Sequence, residues 1–190
     1  MRSTIHLVIL AVLIPLLQSC VPLVVGAGVG AGVMMAEDRR TNATMLEDQA
    51  IELKAGNRIS EKYKDQGNIN VTSFNRYVLL TGQVPTEEIK QDLSIVTLEV
   101  PSVRNVQNEI VVSGVSSTSS RASDTLLTSE VKGRLAQNKD VGATHVKVVS
   151  ENGTVFLMGL VTRAEADAAS QTAATTSGAQ RVVKVFEYLD

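Results

Sequence analysis

The chain has little of what most chemistry requires. Across 190 residues it carries one cysteine, Cys20, two histidines, His6 and His145, no tryptophan and only 3% aromatic residues. A lone cysteine excludes an intramolecular disulfide. His6 lies in the N-terminal segment read as a removed signal and Cys20 is read as acylated, which leaves His145 alone, so no zinc set and no Cys/His nucleophile can be assembled. The carboxylates are scattered over predicted helix surfaces without a pairing. No catalytic residue and no metal site is therefore expected. Positive charge is also missing. The formal net charge is −2, which supplies no field for a polyanion, and few aromatics leave no platform on which bases could stack. Nucleic acid is not an expected partner.

What is present is a repetition. Val155-Phe156-Leu157-Met158-Gly159-Leu160-Val161 nearly copies Val78-Leu79-Leu80-Thr81-Gly82-Gln83-Val84, which lies 77 positions earlier. At the same offset Ile69 falls on Val146, Val71 on Val148, Ser73 on Ser150, Asn75 on Asn152 and Arg104 on Arg181. A gapless offset held this long indicates tandem domains, and two copies are too few for a solenoid.

The first twenty residues have the form of a secretory signal: Arg2, an apolar run from Ile5 to Leu17, then Leu17-Gln18-Ser19-Cys20. Leu at −3, Ser at −1 and Cys at +1 resemble the bacterial lipobox, which implies a covalent diacylglycerol and an N-acyl chain on Cys20. No other cofactor is expected. Pro15, Gln18, Ser19 and Pro22 interrupt any reading of this run as a spanning helix. Val21 at +2, where Asp would be the retention signal, implies the outer membrane. Gly26-x-Gly28-x-x-Ala31 formally matches a dinucleotide fingerprint, but it lacks the preceding strand and following helix that make such a loop work. Residues 1–19 are read as signal, 20–43 as lipidated Cys and tether, 44–112 as the first module, 113–123 as a Ser-rich linker and 124–190 as the second module.

Within module one the pattern predicts a helix over Thr44–Tyr63, with Leu46, Ile51 and Leu53 as core candidates. Strands follow at Ile69–Thr72 and Tyr77–Val84. Thr86 caps a second helix carrying Ile89, Leu93 and Val96, and a third strand covers Val103–Val112. In module two Asp124 or Thr125 is expected to cap a helix bearing Leu127, Val131 and Leu135. Asn152-Gly153 joins two strands, Thr162-x-x-Glu165 is a capping box, and Gly178 is placed to end the Ala-rich helix that follows. The fold class is α+β: two tandem αββαβ modules, each a three-stranded mixed sheet packed by two helices.

These elements resemble the BON-domain proteins of Gram-negative envelopes. The resemblance rests on Leu17-Gln18-Ser19-Cys20, Asn70-Val71-Thr72, Val78 to Gln83, Asn105 to Ile110 and Glu151 to Thr162. It implies a non-enzymatic protein of the outer membrane that binds anionic phospholipid and supports envelope integrity. It also implies that the first helix of the second BON domain meets the lipid, which makes Leu126, Leu127, Lys132 and Arg134 the candidate contacts. The second module carries 7 basic and 8 acidic residues from Asp124 to Asp190, so any preference for anionic lipid must be local. An alternative partner is an envelope protein, with lipid contact only through Cys20.

The strand around Phe156 is apolar on both faces, whereas helices in this topology cover one face of a sheet. Phe156, Met158 and Leu160 are thus an inter-domain face docking on module one, or a ligand face.

Overall fold

Two tight turns set the register of each module. In the first, Asn75 and Arg76 take φ of 52° and 64°; in the second, Asn152 and Gly153 take 48° and 72°. Two successive left-handed residues make the turn whose twist matches a right-handed hairpin. Strands β1 (Asn68–Phe74) and β2 (Tyr77–Val84) therefore pair antiparallel with Phe74 opposite Tyr77. Strands β5 (Val146–Glu151) and β6 (Thr154–Val161) pair with Glu151 opposite Thr154. The computed structural model describes residues 38–190 apart from 65, 115–117 and 143. Cys20, the signal and the tether up to residue 37 lie outside the described residues.

Each hairpin is completed by a helical crossover to a parallel strand. Helix α2 (Glu87–Leu98), capped by Thr86, leads to β3 (Asn105–Asn108) and β4 (Val111–Val112), both parallel to β2. The single strand expected over Val103–Val112 is broken at Glu109–Ile110, where Ile110 turns into the core at 1% exposure. Helix α4 (Arg163–Ala174), with the expected Thr162/Glu165 capping box, leads to β7 (Arg181–Tyr188), parallel to β6. Helix α4 ends four residues before Gly178, which takes φ 88° in the turn beyond.

The repeated glycine has a steric cause. A Cβ at Gly82 would lie 1.9 Å from the Asn68 carbonyl oxygen, and one at Gly159 would lie 2.3 Å from that of His145. The Asn68 carbonyl opens β1 and the His145 carbonyl directly precedes β5, equivalent places beside the neighbouring strand, so only glycine permits the approach.

The first helix of each module differs from expectation. Helix α1 (Asn42–Tyr63), capped by Thr41, buries Ile51, Ala55, Ile59 and Tyr63. Leu46 and Leu53, expected in the core, are 66% and 65% exposed. They sit about 200° around the helix from Asp48 and Ile51, the residues the sheet draws inward. Helix α3 (Thr118–Gln137) starts within the expected linker, six residues before Asp124. Asp124 consequently lies inside the helix and caps nothing at its N-terminus. Leu127, Val131 and Leu135 form its buried stripe.

The two modules pack sheet on sheet. Phe156, Met158 and Leu160 of β6 meet Phe74, Tyr77 and Leu79 of module one, with Val149, Val183 and Val185 around them. Leu79, Thr81 and Gln83, the more polar second face of β2, are buried here at 4% exposure or less. Full burial of a Phe, Leu or Met side chain contributes about 1.5–3 kcal/mol, so this layer is a core in its own right. Each sheet is covered outside by its own two helices, giving a four-layer body.

Polar contacts across the layer use donors related by the repeat. Arg104 Nη1 reaches Glu187 at 3.0 Å, and Arg181 Nη2, the repeat equivalent of Arg104, reaches Glu109 at 3.5 Å. Lys147 Nζ donates to Ser73 O at 3.0 Å, and Asn70, the equivalent of Lys147, donates to Glu151 at 3.2 Å. The donors are repeat equivalents, whereas Glu187 falls on Ile110 and Glu151 on Phe74, so the two-fold relation between the modules is approximate.

Candidate functional site

In both modules a carboxylate on the first helix holds the hairpin turn. Asp48, 3% exposed, accepts from Asn75 N at 2.9 Å, Arg76 N at 2.7 Å, Ser73 Oγ at 2.7 Å and Arg40 Nη1 at 2.9 Å. Asp124, 7% exposed, accepts from Asn152 N at 2.8 Å and Gly153 N at 2.9 Å. Sequence reasoning missed this pairing. A signal existed: with α1 and α3 aligned at offset 76, Asp48 falls on Asp124 as Ile51 falls on Leu127.

The pseudo-dimer leaves two related grooves, each between the first helix of one module and the edge strand of the other. The groove between α1 and β5 holds about 340 Å³ and is lined by Met45, Gln49, Glu52, Val146 and Lys147. It is strapped by the chain itself. Arg40 pairs with Asp48 and with Asp38 at 2.8 Å and stacks 3.9 Å over the Phe74 ring, while Lys147 Nζ crosses to Glu52 at 2.7 Å. Burial opposes charge on Asp38, but the hydrogen bonds from Arg40 outweigh it and hold the carboxyl below the usual range.

The groove between α3 and β1 is larger, about 560 Å³. Asn68, Asn70 and Thr72 form its strand wall, Thr125, Thr128 and Ser129 its helix wall, and Val149 lies between them; Arg121, Asp124, Lys132 and Glu151 supply charge. Two buried polar atoms of its lining, Asn68 Nδ2 and Ser150 Oγ, have no hydrogen-bond partner.

A third cluster fixes the end of the tether. Arg39 makes a two-bond contact with Glu165, at 2.7 and 3.0 Å, and donates to Leu160 O at 2.8 Å; His145 Nδ1 lies 3.0 Å from Glu165 Oε1. Desolvation alone would raise the Glu165 pKa. The bonds from Arg39, the Thr162 N–H and His145 outweigh it and lower the carboxyl to about 2.

The structure disperses the four expected lipid contacts. Leu126 is 72% exposed, beside a shallow depression lined by Ser123, Glu130, Asn152 and Gln180. Leu127 is 5% exposed and belongs to the module-two core, so burial removes it from any lipid surface. Arg134 donates to Thr176 Oγ1 at 2.8 Å and Thr175 Oγ1 at 3.0 Å, which ties α3 to the end of α4. Lys132 is exposed but lines both inter-module grooves, away from Leu126. Phe156, Met158 and Leu160 lie in the inter-module layer. Among the described residues no three His, Cys, Asp or Glu side chains cluster as metal ligands would, and no helix is long and apolar enough to cross a membrane.

Comparison with known proteins gives a BON domain match over residues 47–114 and again over 123–190. The chain is 41% identical over 176 residues to the outer membrane lipoprotein DolP of Haemophilus influenzae, covering 92% of this chain and 91% of that one. It is 33% identical over 154 residues to the 21 kDa hemolysin of Actinobacillus pleuropneumoniae, covering 80% and 79%. Among solved structures, the C-terminal domain of CdsD, a structural protein of the Chlamydia trachomatis type III secretion system, matches at 20% identity and a TM-score of 0.30 over 75% of this chain and 67% of that one. That superposition is too loose to carry an argument.

Proposed function

The chain belongs to the BON-domain family and resides at the outer membrane, and from that premise we propose that it is anchored by acylated Cys20 and binds anionic phospholipid through α3. In this reading it is not an enzyme, and it supports outer-membrane integrity by holding lipid and protein together at the periplasmic face. The observation that carries the reading is Leu126. It is the most exposed large apolar side chain among the described residues, at 72%; Glu130 lies beside it, and the exposed Arg121 and Lys132 of the same helix stand on its groove side. One leucine inserts weakly, so acyl chains supply the hold and α3 supplies selectivity.

Residues 37–190, which form one compact unit, are expected to co-sediment with vesicles containing phosphatidylglycerol at low salt and to dissociate as salt rises. Leu126→Glu is expected to abolish that binding, and Leu46→Glu to leave it intact. Undiminished co-sedimentation of Leu126→Glu overturns the reading.

A further inference from the structure

Helix α1 buries one face on its sheet and exposes a second apolar face on the opposite side. Ala43, Leu46, Ala50 and Leu53 follow one another at spacings of three, four and three residues. At 3.6 residues per turn these four stay within about 80° of arc, opposite the buried Ile51, Ala55 and Ile59. Leu46 and Leu53 are each about two-thirds exposed, Ala43 is exposed and Ala50 half-buried. Alternate spacings of three and four are those of the a and d positions along the seam of a coiled coil. Asn57 and Ser60 continue the spacing with polar side chains and end the apolar part of the seam. Glu47, paired with Arg76 at 3.7 Å, and Lys54 flank it on one side, Gln49 on the other. A stripe this narrow suits a helix better than lipid, because alanines add little to insertion but let a second helix backbone come close.

We propose that this seam pairs α1 with α1 of a second copy of the chain, antiparallel about a two-fold axis. Self-complementarity selects that occupant. In the antiparallel pair Ala43 meets Leu53 of the second copy and Leu46 meets Ala50, and the two-fold axis repeats both contacts, so every layer holds one leucine and one alanine. A parallel pair would set alanine on alanine and leucine on leucine, which leaves voids between tight layers. An antiparallel register one heptad away would set Leu46 against Asn57 and desolvate an amide without a partner. At the axis the two copies of Gln49 face each other on one flank, where their amides can exchange hydrogen bonds. On the other flank the two copies of Glu47 approach, each already holding its own Arg76. One helix pair buries well under the about 1,200 Å² of a stable interface. Pairing is therefore weak between free bodies and is promoted by confining the chains to one membrane surface, as in the proposed anchored state. Helices α1 and α3 lie in the outer layers of different modules, so the seam is separate from the Leu126 face.

The test is crosslinking of the full acylated chain in phospholipid vesicles with a short bismaleimide, through a cysteine introduced on α1; Cys20, the only native cysteine, is the acylated residue. Gln49→Cys, beside the axis, is expected to give at least about tenfold more crosslinked dimer than Asn57→Cys. Both positions are exposed, but in the antiparallel pair the two copies of Asn57 stand about 27 Å apart along the helices, at 1.5 Å per residue. Leu46→Glu or Leu53→Glu, added to Gln49→Cys, plants a carboxylate opposite an alanine twice in each dimer and is expected to lower the yield to that of Asn57→Cys. Both leucines are exposed in the single chain, so neither change disturbs its fold. Leu126→Glu is expected to leave the yield unchanged. A yield at Asn57→Cys equal to or above that at Gln49→Cys, a Gln49→Cys yield that survives both glutamates, or its loss through Leu126→Glu alone would each overturn the proposal.

Discussion

Replacing Phe156 tests whether the two modules are one folding unit. Its ring is 2% exposed and packs on Phe74, Leu79 and Met158 in a layer separate from either module's own core. Truncation to alanine removes the transfer term and leaves a cavity, together about 3–5 kcal/mol. In a body of this size each kcal/mol moves the melting temperature by about 2–4 °C, so a drop of about 6–20 °C is expected for Phe156→Ala. Phe156→Asp goes further, because an unpaired carboxylate in that layer is relieved only if the sheets part. Calorimetry should then resolve two transitions where the parent shows one, and small-angle scattering should give a larger radius of gyration. Val155→Ala is the control, since Val155 lies on the same strand but faces the module-two core; it should lower stability without opening the body. A Phe156→Asp protein with the parent's radius of gyration and a single transition would refute the reasoning.

Two further predictions follow from the carboxylates. Asp48→Ala removes the partner of Arg40, Ser73 Oγ and two hairpin amides at once and should cost at least about 3 kcal/mol in denaturant unfolding; a loss under about 1 kcal/mol would show that water replaces those bonds freely. Glu165 has its pKa lowered from 4.5 to about 2, so its contribution is complete above 4.5 and lost as pH falls through that window to about 2. Stability measured from pH 5 to pH 2 should therefore fall more steeply in the parent than in Glu165→Gln; identical slopes would remove Glu165 from the acid response.

How much of this the sequence exposes depends on the range of the interaction. The hairpins, the capping box and the repeated Gly82 and Gly159 are local or recur at one offset, so pattern alone finds them. Helix α1 is harder, because its buried stripe runs through Asp48 and Ala55 while two leucines face water, and an apolar periodicity search prefers the leucines. The start of α3 is hidden by serines whose composition matches a linker. The apolar second face of β6 foretells an occupant, but β2 hides its half of that layer behind Thr81 and Gln83, polar residues buried only because a second sheet lies on them. The Asp48–Asp124 match shows only once the first helices are aligned at 76 instead of 77, and the roles of Arg39 and Arg40 are invisible in one dimension, since each is defined by a partner distant in the fold.

Arg39 and Arg40 are neighbours that hold different modules: one grips Glu165 and the Leu160 carbonyl in the second, the other grips Asp48 in the first. Any tension arriving along the chain at Asp38 is thus divided at its point of entry between the two halves of the body. The load does not peel α1 off its sheet turn by turn, but must shear several charged bonds together. In the proposed lipid-anchored state a pull on the tether would thus be shared by both modules, with the two adjacent arginines acting as a mooring cleat.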